Sequence, residues 1–272
     1  MGELLVLDGV CKGFWRGRSW LGVLKDVGLE IERGQVVGVI SQRLGGKTTL
    51  LEIAAGMQRP DAGTVTLAGR PLESARQPGL RGWWAARRER ATAPKLGHDL
   101  VWVTRDGPRQ ELEVSKYVGW PLAVHGRSDV RTLAAAALER VGAQDCISRQ
   151  WGELSNWQRL LVGLARGFAG TPQLVIIDDL LDGHTSQDTD VASDLLHSLV
   201  EESEPRCGVL LSAGYFDSAV VLADEVWEVA GGKLTRASGP PDADEDHDED
   251  LDDVIVNFPT AEKRGSRGTG YA

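Results

Sequence analysis

The sequence predicts an α/β fold, with a parallel-sheet core, an N-terminal antiparallel β lobe and an inserted α-helical lobe. Three observations predict it. A continuous apolar run over 36–40, "VVGVI", leads through a glycine-rich loop into the helix-forming stretch "KTTLLEIAAGM". From about Glu111 to Gly170 the apolar spacing turns helical. Strand-like runs then return at "QLVIIDD", "CGVLLSAG" and "EVWEVAGGKLT".

Taken in order, "ELLVLDGVCKGF" and "LKDVGLEIERGQVVGVI" are short apolar runs broken by glycines and charges, which reads as the strands of the first lobe running into the core strand. "DAGTVTLAGRPL" reads as a hairpin-like pair. "GWWAARRERATAPKLG" reads as a basic helix packed through Trp83 and Trp84, and "LVWVT" as a strand. Within the insert, about 106–170, "VSKYVGWPLAVHG", "DVRTLAAAALERVGA" and "NWQRLLVGLARGFAG" read as helices. Residues 1–236 thus form one domain. Beyond it, "PPDADEDHDEDLDD" is too polar to bury a core, so 237–272 reads as a disordered acidic tail. The apolar island "VIVNFP" within it is either plain linker or a docking peptide for an unknown partner.

The net charge of −10 is concentrated in that tail, whose ten acidic and three basic side chains give −7 and leave only −3 for the rest. A nearly neutral body gives no electrostatic case for nucleic acid as a partner. No apolar run reaches the length of roughly 18 residues that a membrane span needs, and the first residues lack a signal-peptide pattern. Cys11, Cys146 and Cys207 are too far apart for a zinc spacing and odd in number for a disulfide framework, which points to a reducing cytoplasm.

"VISQRLGGKTTLLE" carries the strongest local chemistry. The spacing G-x-x-x-x-G-K-[ST], between a strand and a helix, wraps backbone N–H groups around phosphate oxygens and sets a helix N-terminus against them. It identifies a P-loop NTPase core, with Ser41, Gln42, Arg43, Leu44, Gly45, Gly46, Lys47, Thr48 and Thr49 as the candidate nucleotide-binding loop. Lys47 would reach the β- and γ-phosphates, and the Thr48 hydroxyl would hold Mg²⁺. Ser41 replaces the first glycine, and the bulk of Leu44 narrows the loop. Downstream, the apolar run 174–177 ends in Asp178, a second candidate ligand for Mg²⁺, and Asp179, a carboxylate facing the attacking water. The bland alternatives are a helix cap at GGKTT and a strand cap at the two aspartates.

With the loop at 41–49, "LSNWQ" at 154–158 and "IIDD" some twenty residues on, the chain resembles the ATP-binding cassette (ABC) ATPases over residues 3 to about 236. The phrases "VSKYVGWPLAVHGRS", "ALERVGAQD" and "GLARGFAGTPQLVIIDD" look most like the lipoprotein-release and macrolide-export type. The resemblance implies ATP and Mg²⁺ as cofactors and Phe14 as the aromatic that stacks on adenine, with Trp15 as the fallback. It implies Ser155 and Gln158 as signature residues that contact the γ-phosphate bound by the opposite subunit of a homo- or heterodimer. It also implies a membrane permease on a separate chain and a cytoplasmic, peripheral position at the inner face of the cell membrane.

The departures cluster at the catalytic and interface elements. Arg105 stands at the glutamine-loop position, Asp179 at the catalytic glutamate and Gly214 at the switch histidine. Asn156 and Trp157 replace the signature glycines, and Thr185 aligns with the D-loop aspartate unless a gap lets Asp182 serve. Trp157 either obstructs closure across the dimer or is a packing residue at the helix start, and His184 reads as a surface-loop histidine. The implied function is an ATP-binding subunit that holds Mg-ATP and hydrolyses it slowly to drive or gate a membrane partner. The alternative is a catalytically inactive, nucleotide-dependent adaptor.

Overall fold

The computed structural model describes residues 2–17, 19–42, 45–72, 99–105, 107–180 and 183–238. The expected Trp83–Trp84 helix, the acidic tail beyond Ser238, Arg43, Leu44 and Asp182 lie outside the described residues.

The N-terminal lobe is a four-stranded antiparallel sheet in the order β2-β1-β4-β5, formed by β1 (Glu3–Arg16), β2 (Ser19–Glu32), β4 (Ala62–Leu67) and β5 (Arg70–Pro71). The short runs of the sequence are in fact two long strands. Their alternation is interrupted because the β1–β2 register shifts between Leu7 and Val10 and again around Lys12, with Gly9 and Asp26 at positive φ. Such bulges move side chains from one face to the other without ending the strand.

The core is a six-stranded sheet in the order β10-β9-β3-β8-β7-β6. Its strands are β3 (Val36–Ser41), β6 (Leu100–Thr104), β7 (Leu174–Asp178), β8 (Gly208–Ser212), β9 (Glu225–Ala230) and β10 (Lys233–Arg236). All neighbours run parallel except the β9–β10 hairpin. The inner strands are covered on both faces, which is why they are apolar without alternation. Successive residues face opposite cores. Val37, Ile176 and Leu210 pack with α1 (Lys47–Ala54) and the antiparallel lobe, whereas Val36, Ile177 and Leu211 pack with the helical side.

Between β6 and β7 lie α2 (Val114–Val124), α3 (Val130–Arg140), two short 3₁₀ turns and α4 (Asn156–Phe168). α4 lies close on the sheet, since a Cβ at Gly163 would meet Leu180 at 3.0 Å and Val103 at 3.3 Å. α5 (Ser186–Glu201) and α6 (Phe216–Leu222) complete the helical side. The register Ile177↔Leu211 and Val39↔Ser212 brings the carboxyl ends of β3, β7 and β8 to one edge, the place where open α/β sheets bind ligands.

Candidate functional site

The loop after β3 closes on itself. The Gln42 carbonyl accepts hydrogen bonds from the Gly45 N–H at 3.0 Å and the Ser41 hydroxyl at 2.9 Å. Both glycines are sterically required. A Cβ at Gly45 would stand 2.7 Å from the Ser41 Cβ, and one at Gly46 would stand 2.8 Å from the Val23 Cγ1. Gly46 also has φ of 102°, a conformation that L side chains avoid. Helix α1 starts at Lys47, so its free N–H groups open at this loop. Ser41 lies within β3 and is absent from the positive-φ residues, so serine is accommodated at the first glycine's position.

Charged groups converge at the strand ends. The Lys47 ammonium donates to the Ala213 carbonyl at 3.0 Å. Asp178 is buried, and its carboxyl is held above the ordinary range by that burial and by the charge of Asp179. Hydrogen bonds from the Ser212 and Thr48 hydroxyls, and the charge of Lys47, pull the other way. Glu52, one turn into α1, is likewise raised by burial and by the charge of Asp178.

Ser212 joins the two aspartates, and the sequence reading does not single it out. Its fully buried hydroxyl accepts the Asp179 N–H at 2.8 Å and stands 2.9 Å from Asp178 Oδ1 and 3.0 Å from Asp179 Oδ1. One hydroxyl proton serves one carboxylate at a time. Asp179 has φ of 52°, and its carboxylate is turned back onto the end of β8. The available signal was a lone serine closing the apolar run "GVLL".

Arg105 is exposed, and its N–H donates to the Asp178 carbonyl at 3.2 Å. Its guanidinium lies 3.6 Å from where a Cβ of Gly183 would sit, placing the charge beside the segment that follows β7. Gly214 follows Ala213 and brings no side chain to this edge.

Phe14 is 39% exposed, with the Lys12 ammonium 5.5 Å from its ring centroid. It pairs with Leu21 on β2, and two residues further along that strand Val23 packs against Gly46. The aromatic strand and the glycine loop are therefore neighbours through β2. Trp15 is far more exposed and meets Trp20 edge-on at 5.2 Å.

Ser155 and Gln158 form a reciprocal capping box at the start of α4, with the Ser155 hydroxyl accepting the Gln158 N–H at 3.2 Å and Gln158 Oε1 accepting the Ser155 N–H at 3.0 Å. Trp157 is partly buried against the helical-side core and meets His184 edge-on at 6.1 Å. The indole thus packs within its own chain, and His184, a half-buried loop residue, is its neighbour. Thr185 likewise caps α5 through Asp188.

The model of the family described as "ABC transporter" matches residues 24–181, more than half of the chain. The lipoprotein-releasing system ATP-binding protein LolD of Anaplasma marginale (strain St. Maries) is 30% identical over 86% of this chain and 98% of its own length. The methionine import ATP-binding protein MetN of Nocardia farcinica (strain IFM 10152) is 27% identical over 84% of this chain, which spans only 64% of that protein. The fold matches the dimeric structure of the bacterial ABC transporter cassette MJ0796 with a TM-score of 0.70 at 20% identity, covering 87% of this chain and all of that one. Among the described residues no helix is long and apolar enough to cross a membrane. A glycine loop at the end of β3, a buried aspartate ending β7 and a capped helix after "LSNWQ" accordingly sit on a known scaffold, and the chain belongs to the ABC transporter family.

Proposed function

We propose that this chain is the ATP-binding subunit of an ABC-type transporter or complex, which holds Mg-ATP and hydrolyses it slowly to drive or gate a separate membrane partner. The single observation that carries this reading is the convergence of Gly45, Gly46, Lys47 and Asp178 at one edge of the parallel sheet. The loop N–H groups and the Lys47 ammonium neutralise phosphate charge, and Phe14 stacks on the adenine. The donor set fits magnesium. The Thr48 hydroxyl and the Asp178 carboxylate are hard oxygen ligands already within hydrogen-bonding reach of each other. When bound, the metal supplies positive charge to the phosphate oxygens.

Hydrolysis is slow in this reading because the aligning groups are weak. Asp179 is a methylene shorter than glutamate and is engaged by Ser212, so its carboxylate does not hold the attacking water. A misplacement of about 1 Å costs on the order of 10²-fold in rate. The missing imidazole at Gly214 costs a further ~10²–10⁴-fold, although such residues act as a unit and their effects do not multiply freely. Arg105 contributes a fixed positive charge beside the site rather than a metal contact.

Residues 1–236 form the cassette in this proposal. It works as a homo- or heterodimer in which Ser155 and Gln158 face the partner's nucleotide, at the cytoplasmic, inner face of the membrane. The tail over 237–272 recruits a further partner. The engaged Asp179 also favours a second reading, a nucleotide-dependent adaptor with no turnover.

The test is Mg-ATP affinity and turnover of the purified chain and of Lys47→Ala. The wild type should bind Mg-ATP and turn over slowly, and Lys47→Ala should lose binding. Unchanged affinity in Lys47→Ala removes the phosphate-loop assignment, and binding without any turnover selects the adaptor.

A further inference from the structure

Lys12 is a buried lysine, 7% exposed, on the strand that carries Phe14. Its ammonium donates to the Arg59 carbonyl at 2.8 Å and pairs with Asp61 Oδ1 at 3.0 Å. The other oxygen of Asp61 accepts the Gly13 N–H at 2.8 Å, and the Asp61 N–H donates to the Cys11 carbonyl at 2.8 Å. Three successive residues of β1 are thus tied to the segment 59–61, which follows the helix that Lys47 begins.

The tie falls where the strand is otherwise poorly determined. The β1–β2 register shifts on both sides of Lys12, and the next pair is Gly13↔Gly22, which has no side chains to set the spacing. Burying an ammonium is costly unless it is paired and hydrogen-bonded, and here both conditions are met by the loop behind the phosphate helix. The same ammonium stands 5.5 Å from the Phe14 centroid. A cation beside an aromatic ring is attracted to its face, so the tied ammonium helps to hold the ring in place.

We propose that Lys12 is a positioning residue for the base. It fixes the Phe14 ring relative to the Lys47 helix and so sets the adenine share of nucleotide affinity, apart from the phosphate share. The inference rests on the ATP-binding reading above and assigns a specificity role that the glycine loop does not supply.

The test compares two probes, Mg-ATP and inorganic tripolyphosphate with Mg²⁺, by isothermal titration calorimetry on the full chain. Lys12→Met should weaken ATP binding by about tenfold while tripolyphosphate affinity stays within about twofold. Lys12→Arg, which keeps a cation by the ring, should recover most of the loss. Phe14→Ala should show the same ATP-selective loss, and the Lys12→Met/Phe14→Ala double variant should lose little more, because the two residues act together. If Lys12→Met does not fold, Asp61→Asn carries the same test, since it loosens the tie with little change of volume. Equal loss for both probes, or unchanged ATP affinity, overturns the assignment. A wild type that binds tripolyphosphate but shows no ATP preference also overturns it. A wild type that binds neither probe overturns the nucleotide reading together with it.

Discussion

Replacing Ser212 by alanine isolates the contact that joins the two aspartates. Ser212 is fully buried, so water cannot substitute for its hydroxyl. The change removes the acceptor of the Asp179 N–H, which lies 2.8 Å away, and the donor to Asp178 or Asp179 at 2.9 and 3.0 Å. An orphaned buried donor costs about 1–3 kcal/mol, and a lost hydrogen bond to a charged group about 1.5–3 kcal/mol. Together they predict a loss of roughly 2.5–6 kcal/mol. At about 2–4 °C per kcal/mol for a domain of this size, the melting temperature should fall by roughly 5–24 °C. The measurement is thermal unfolding followed by circular dichroism in EDTA, with Ser212→Thr beside Ser212→Ala. Threonine keeps the hydroxyl and suits a strand, so it should lose much less. If alanine melts within a degree or two of wild type, or if threonine is no better than alanine, Ser212 does not join the carboxylates as described.

Three further outcomes are expected. Asp179→Glu combined with Gly214→His should raise turnover by about 10²-fold or more, with either change alone giving little; a double variant no faster than wild type would refute the account of slow hydrolysis. Asp178 and Glu52 both have carboxyl groups raised above their ordinary values of 3.8 and 4.5, so the folded chain holds these protons more tightly than the unfolded one. Their contribution to stability is therefore full below those values and is lost as pH rises through the raised folded values. Urea unfolding across that range in EDTA should show the decline, and Asp178→Asn should flatten it and raise stability at neutral pH; an unchanged slope contradicts the burial of this charge. Trp157→Gly should cost about 2–4 kcal/mol of stability by removing a partly buried indole from the helical-side core and from His184. A loss of less than about 1 kcal/mol in urea unfolding would refute the packing of the indole within its own chain.

What the sequence reveals depends on how local each constraint is. The glycine loop is legible because its requirements act within a few residues. Gly45 must clear Ser41, Gly46 must adopt positive φ, and Lys47 must open a helix. The core strands are legible because burial on both faces leaves continuous apolar runs. The long strands β1 and β2 read as shorter pieces because bulges disturb their alternation, although the lobe itself is foreseen. Residues with two readings fare worse. Ser155 and Thr185 fall at family motif positions, yet each is the first residue of a capping box, and the T-x-x-D at 185–188 marks the start of the unpredicted helix α5. Contacts across the fold leave the faintest trace. Ser212 is 34 residues from Asp178 and Lys12 is 49 from Asp61, and neither pair has a spacing that sequence periodicity can detect. These distant partners constrain two of the predicted site residues. The buried hydroxyl engages Asp179 beside Asp178, and the buried ammonium stands beside the Phe14 ring. In the proposed function, nucleotide grip is thus encoded locally in the loop. The turnover role proposed for Asp179 and the base preference proposed for Phe14 depend on tertiary packing, so substitutions at Ser212 and Lys12 should alter them while leaving the glycine loop in place.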